Sequence, residues 1–250
     1  MIHSSKFEFS WRQEDVYTFL PILLSILFFE IYWFISKSRK LKIWFFKYYE
    51  FDKATLNHVT FNRFVGFVSM GILPAFFCVF FLNGYSLTDY GLTFKPEKTM
   101  ITIGWTAGLS ILIIPLTYIS AQKPKNLINY PMIRAKIWTK KIIFINVFGW
   151  ILYLFGYEFM FRGILLFPLA DHLGIWPAIA INIALYSSTH IPKGLEETIG
   201  AMILGLVLCL LTLISGTILI AFLVHVIMAL TNSFTAFKFH PDMKYLKSEK

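Results

Sequence analysis

Charged side chains are scarce in this sequence, since only 15% of its 250 residues are Asp, Glu, Lys or Arg. A soluble domain carries about 25% charged residues. By contrast, 57% of this chain is hydrophobic, and 27 of its residues are Phe. That much apolar surface needs lipid to cover it, so the composition excludes a soluble globular protein and predicts an integral membrane protein.

Cysteine is also rare, and both copies, Cys78 and Cys209, fall inside apolar stretches. This excludes a disulfide framework, and we expect two inert buried thiols. The polar segment Met1–Asp15 lacks the basic and apolar regions of a cleaved signal peptide. The first apolar segment is therefore expected to remain as a helix.

A net charge of +9 could suggest nucleic acid, but the basic residues cluster between the apolar runs. They are abundant from Lys37 to Arg63, from Lys123 to Lys141 and in the C-terminal tail, and sparse in the other connections. This alternation follows the positive-inside rule. It predicts an external N-terminus, a cytoplasmic C-terminus, a bacterial inner membrane and no nucleic-acid partner.

Seven apolar spans predict an all-α polytopic membrane protein with a four-helix core in its C-terminal half. The spans are Val16–Ile35, Phe64–Leu82, Ile101–Ile119, Ile142–Ala170, Pro177–His190, Ile199–Leu213 and Ile218–Phe234. A polar linker, Gln122–Pro131, separates the third span from the fourth. We therefore expect an N-terminal three-helix region over 1–140, a core over 141–235 and a cytoplasmic tail over 236–250.

The fourth and fifth spans are joined by a single turn signal at Gly174, followed closely by Pro177. Glu158 and His190 are equally far from Gly174 in the sequence. In a helical hairpin both would lie roughly 24 Å from the turn, at 1.5 Å per residue. The sequence thus predicts a carboxylate and an imidazole at one depth in the membrane.

Further polar residues fall on the same spans. Arg162, four residues after Glu158, is expected to form a structural ion pair with it. In the last span His225 and Asn232 share one face, and Glu197 opens the sixth span. Such a set could bind a metal such as zinc through His190, His225 and Glu158. It could equally activate a water with a Glu and one His, while the other His and Asn stabilise an oxyanion.

These residues resemble the motifs of the CAAX-protease and bacteriocin-processing (CPBP, or Abi) family of intramembrane proteases over about 142–234. The family pattern Glu-Glu-x-x-x-Arg-Gly is similar to Tyr157–Gly163. Its Phe-x-x-x-His is similar to Tyr186–His190, and its His-x-x-x-Asn or Asp to His225–Ala229, with Asn232 one turn later. The chain departs from the pattern at Tyr157 and Ala229.

The resemblance implies an intramembrane endopeptidase that cleaves a membrane-bound or lipidated peptide. It further implies a subgroup in which Glu158 or Glu197 acts with His190 as the base, while His225 and Asn232 hold the oxyanion. Whether a divalent metal takes part stays open. Two alternatives remain: a non-catalytic relative that serves bacteriocin self-immunity or scaffolding, and a proton or solute transporter.

Overall fold

A computed structural model describes residues 10–246, so the polar segment Met1–Asp15 and the predicted tail 236–250 lie partly outside the described residues. Within them, six helical segments are long and apolar enough to cross a membrane, and a shorter apolar helix joins them. The predicted all-α polytopic fold is confirmed. The helices are α1 (Val16–Ser36), α2 (Arg39–Tyr48), α3 (Phe51–Phe67), α4 (Leu73–Phe81), α5 (Thr99–Ala121), α6 (Pro124–Leu127), α7 (Lys140–Glu158), α8 (Leu166–Leu173), α9 (Ile175–Ser188), α10 (Leu195–Ser215) and α11 (Leu219–Phe239).

The predicted span bounds need one substantial correction. The second span was expected to begin at Phe64, but the helix already begins at Phe51 and runs through to Phe81. The basic and polar residues at its start hid this helix from a hydropathy argument. Arg63, expected in a loop, is consequently buried inside the bundle with 3% of its surface exposed.

The longest segment, Lys140–Leu173, lies at the centre of the bundle. It packs against α1, α3, α9 and α11, while α5 packs outside α11. The segment is continuous but not uniform, since residues Phe159–Leu165 form a π-helical stretch between α7 and α8. Single π turns inside α-helices are often found at functional sites. Here the stretch follows Glu158 directly and contains Arg162.

A second π-helical stretch, Val68–Ile72, connects α3 to α4 and crosses α7 at very close range. A Cβ on Gly71 would lie 3.0 Å from the Cα of Gly156, and one on Gly156 would lie 3.1 Å from the carbonyl oxygen of Phe67. Small residues let membrane helices approach to this distance. The crossing fixes α7 two residues before Glu158.

The predicted turn at Gly174 is present. Helix α8 ends at Leu173 and α9 starts at Ile175, with Gly174 at a φ of 86° that favours glycine. The Gly174 turn and the loop that follows α4 form one face of the bundle, which we call the turn face. Tyr85 donates a hydrogen bond of 2.8 Å to Asp171, and the Tyr17 hydroxyl donates one of 2.9 Å to the Asn83 carbonyl.

The opposite face, which we call the basic face, gathers α2, the linker 122–139 and residues 240–246. Strand β1 (Ile137–Trp138) pairs in parallel with β2 (Lys244–Tyr245) there. Lys125 forms an exposed ion pair of 3.8 Å with Glu196 at the start of α10. Residues 10–15 therefore lie at the turn face and residues 240–246 at the basic face, as an odd number of crossings requires.

Both cysteines are buried and unpaired. Cys78 and Cys209 belong to different apolar clusters of the bundle, with Cys209 packed beside Tyr157 and Tyr186. The prediction of inert core thiols agrees with this placement.

Candidate functional site

Glu158 is fully buried and lies at the end of α7, where the π-helical stretch begins. Its Oε2 lies 3.5 Å from Nε of Arg162, which is also fully buried. The guanidinium of Arg162 lies over the Tyr186 ring, with its Cζ 4.0 Å from the ring centroid. A carboxylate in a bilayer interior requires a partner, and Arg162 provides the opposite charge.

The other carboxylate oxygen of Glu158 contacts His225 on α11. The distance from Oε1 to Nδ1 of His225 is 2.5 Å. Because an ionised carboxylate can only accept, the Nδ1 of His225 carries the proton. Its Nε2 lies 3.0 Å from the Tyr186 hydroxyl on α9, which donates to it when the imidazole is neutral. Three helices thus join through Glu158, His225 and Tyr186.

His190 lies two residues beyond the end of α9, beside this group. Its ring centroid is 5.0 Å from that of Tyr186. Its Nδ1 lies 3.2 Å from the Tyr186 carbonyl and 3.0 Å from Thr189 Oγ1, so it acts as the donor. Among residues 10–246 its Nε2 has no hydrogen-bond partner. This nitrogen therefore keeps a lone pair that can accept a proton.

Thr189 connects His190 to the residue that departs from the family pattern. The Thr189 hydroxyl donates to the Tyr186 carbonyl at 2.7 Å and accepts from the Tyr157 hydroxyl at 2.9 Å. Tyr157 thus reaches His190 through one intervening hydroxyl. Sequence reasoning noted Tyr157 only as a departure and did not single out Thr189. The spacing of Thr189, three residues after Tyr186 and one before His190, was the available signal.

The structure does not bring Glu197 or Asn232 to this group. Glu197 forms an ion pair of 3.8 Å with Lys193, and both side chains are 45% exposed. The Asn232 side chain instead accepts a hydrogen bond of 2.9 Å from Asn126 of α6. The predicted residues that come together are therefore Glu158, Arg162, His190 and His225.

The arrangement does not fit a metal ion. Glu158 and His225 engage each other, and the Nδ1 of His190 is turned to backbone and hydroxyl oxygens. In the described part of the chain no three His, Cys, Asp or Glu side chains are grouped so as to hold a metal. The predicted metal candidates thus do not form a ready ligand set.

A cleft of about 510 Å³ leads from the bundle surface to this region between α1 and α9. Phe161, Thr189 and Pro192 line one side of it, and Glu30 and Trp33 line the side formed by α1. Most of its lining is apolar, while Thr189 is the residue that contacts His190. An amphiphilic chain in this cleft would come close to His190.

Residues 138–231 match the family model described as type II CAAX prenyl endopeptidase Rce1-like. The comparisons with curated proteins and with solved structures returned no match. The matched segment runs from the start of α7 to α11 and contains every residue of the group around Glu158. Over residues 138–231 the chain is therefore similar to the Rce1-like type II CAAX prenyl endopeptidases.

Proposed function

We propose that this chain is an intramembrane endopeptidase in which His190 activates a water molecule. The observation that carries the proposal is the orientation of His190. Its Nδ1 is fixed by the Tyr186 carbonyl and Thr189, and its Nε2 makes no hydrogen bond among residues 10–246. A general base needs an imidazole that is held in place and has a free lone pair.

In the proposed reaction the Nε2 of His190 takes a proton from the water while the hydroxide oxygen bonds to the carbonyl carbon of the peptide. The Tyr186 hydroxyl, which donates to Nε2 of His225 in this structure, would turn from that nitrogen to donate to the developing oxyanion. Glu158 and His225 hold that hydroxyl in place, and Arg162 offsets the carboxylate charge. When the carbon–nitrogen bond breaks, His190 returns the proton to the leaving amine.

Tyr157 takes part as a positioning residue in this scheme. Its hydroxyl donates to Thr189, which in turn contacts the Nδ1 of His190. The loss of the first family carboxylate is therefore compatible with an oriented His190. The proposal gives no catalytic role to Glu197, which is half-exposed and paired with Lys193, or to Asn232, which pairs with Asn126.

We propose a membrane-associated peptide, lipidated near the cleaved bond, as the substrate. The α1–α9 cleft would take the lipid because its wall is apolar and Thr189 is part of its lining. The basic face is assigned to the cytoplasm by the positive-inside rule. The cleft residues Trp33 and Pro192 lie toward that face, so the substrate would enter from the cytoplasmic leaflet.

The test is cleavage of a farnesylated peptide with a CAAX end by the purified full chain in liposomes. His190→Ala is expected to lower the rate at least 10²-fold, the size usual for general base catalysis. Lys193→Gln removes a nearby exposed charge and is the matched control, expected to keep the wild-type rate. An unprenylated peptide of the same sequence reports the contribution of the lipid.

Two outcomes would overturn the proposal. If folded wild-type protein cleaves neither peptide, the alternative of a non-catalytic family member acting in self-immunity or as a scaffold is favoured, as Tyr157 and Ala229 would suggest. If His190→Ala cleaves as fast as the wild type, His190 is not the base.

A further inference from the structure

We propose that the groove between α2, α3 and α7 is a binding site for an anionic phospholipid, separate from the group around Glu158. The groove has a volume of about 900 Å³ and lies toward the basic face of the bundle. Phe61, Phe64 and Phe148 are among the aromatic side chains that line it. This size and apolar lining suit an acyl chain.

The feature that distinguishes this groove from an ordinary lipid-facing surface is Arg63. Its side chain lines the groove, yet only 3% of the residue is exposed. Its two terminal nitrogens donate to the carbonyl oxygen and Oδ1 of Asn146, at 2.9 and 3.1 Å. The guanidinium lies over the Trp150 ring, 4.3 Å from its centroid.

All of these partners of Arg63 are neutral. Within the described residues no carboxylate forms an ion pair with it, and its Nε has no hydrogen-bond partner. A buried charge without a counter-charge is costly in a medium of low dielectric constant. An anionic group in the groove would offset that cost and accept a hydrogen bond from the guanidinium.

The position of Arg63 is built into the helix packing. Gly149 of α7 faces it, and a Cβ at Gly149 would lie 3.0 Å from Cδ of Arg63. Asn146 is in turn held by Ser233 of α11, to which its amide donates at 3.2 Å. The guanidinium is therefore fixed before any ligand binds, which favours affinity.

Helix α2, which lines the groove through Leu41, Trp44 and Phe45, supplies further positive charge nearby. Helix α2 has no acidic residue and carries Arg39, Lys40, Lys42 and Lys47. Its Phe45 ring packs 5.8 Å from that of Phe61, which lies two residues before Arg63 on α3. A lipid phosphate between Arg63 and the lysines of α2 would interact with both. Basic pockets of this kind between membrane helices recognise anionic headgroups.

A lipid titration of the full chain in detergent tests this proposal. The lipid is either phosphatidylglycerol or phosphatidylcholine with the same acyl chains, and native mass spectrometry measures how much of it binds. We expect about tenfold tighter binding of phosphatidylglycerol, since a charge-assisted hydrogen bond and a few basic side chains contribute that much. Arg63→Gln and Thr60→Phe should each bring the preference below about threefold, the first by removing the charge and the second by filling the groove.

Lys98→Gln is the matched control because it removes a basic residue at the turn face, and its preference should equal that of the wild type. If Arg63→Gln does not fold, the exposed Lys40→Gln and Lys47→Gln variants are expected to weaken phosphatidylglycerol binding together. Equal wild-type binding of both lipids, or an unchanged preference in Thr60→Phe and in the lysine variants, would overturn the proposal. A lipid-free dimer that Thr60→Phe dissociates would also overturn it, since a second copy would then occupy the groove. None of these readouts depends on peptide cleavage.

Discussion

Glu158 is the residue that ties the candidate site together, because it contacts Arg162 on its own segment and His225 on α11. Its burial makes both contacts costly to lose. Attraction between buried charges offsets their dehydration only while both partners are present. The same residue therefore has a structural role and, in the proposed reaction, a catalytic one, and the two can be measured separately.

Replacing Glu158 with Ala is expected to destabilise the protein by about 3–5 kcal/mol, because it leaves the Arg162 guanidinium buried without a counter-charge. Glu197→Ala is the matched control, since it breaks a half-exposed i,i+4 pair, which contributes about 0–1 kcal/mol. Reversible unfolding in detergent micelles measures both. Equal destabilisation by the two variants would contradict the buried pairing.

Thr189→Val should lower kcat about tenfold with little change in KM, because a positioned base contributes through orientation. The variant removes the hydroxyl that connects Tyr157 to His190 and keeps the side-chain volume. Thr189→Ser keeps the hydroxyl and should restore most of kcat. A purely structural role for Thr189 would instead give equal losses of stability and activity in the Val variant, with no specific rescue by Ser.

The sequence predicted four of the residues that meet at the site, Glu158, Arg162, His190 and His225, because helical spacing and equal depth can be read from residue numbers. It could not predict which of the polar residues point away from the site. Glu197 and Asn232 find partners in Lys193 and Asn126. Asn126 lies in the linker, and contacts so distant in sequence leave no periodic signal.

At the scale of elements, the π-helical stretch and the glycine crossing decide where Glu158 lies. The stretch Phe159–Leu165 changes the helix rotation directly after Glu158. The crossing of Gly156 with Gly71 fixes the position of α7 just before Glu158. Hydropathy predicted one long helix here and gave no sign of either feature, because a π turn does not alter the apolar composition.

Gly156→Ala is expected to destabilise the bundle by about 1–3 kcal/mol, the usual cost of overpacking. The added methyl would lie 3.0–3.2 Å from backbone atoms of Phe67 and Gly71, which cannot move aside alone. Gly108→Ala on α5 has no atom within 4 Å of its Cβ. It should instead stabilise by up to about 1 kcal/mol through helix propensity. Thermal unfolding of both variants checks that the two substitutions change the stability in opposite directions.

At the scale of the whole molecule, the bundle has two chemically different faces. The turn face joins the loop after α4 to the Gly174 turn, whereas the basic face carries α2, the linker and residues 240–246. The sequence predicted this alternation from Lys and Arg alone, since charge controls insertion. The predicted fifth span, Pro177–His190, has the same length as α9, which has 14 residues, but it begins two residues too late. That helix is continued by the turn containing His190.

The proposed orientation predicts labelling by a membrane-impermeant maleimide in intact cells. Asn83→Cys at the turn face should react at once, and Asn129→Cys at the basic face only after permeabilisation, in a Cys78→Ala, Cys209→Ala background. Both native residues are exposed, so the pair is matched. The reverse pattern would contradict a cytoplasmic basic face.

The central claim is that the carboxylate of the site is Glu158, acting with His225 and beside His190. The most direct measurement is the single-turnover rate at which the Glu158→Gln and Glu197→Gln variants cleave a farnesylated peptide. Each variant replaces one carboxylate of the wild-type protein with an amide. We predict that Glu158→Gln loses at least about 10²-fold in rate, the cost of an oxyanion donor that is no longer held in place, and that Glu197→Gln stays within about twofold of the wild type. A full rate for Glu158→Gln, or an equal loss in Glu197→Gln, would contradict it.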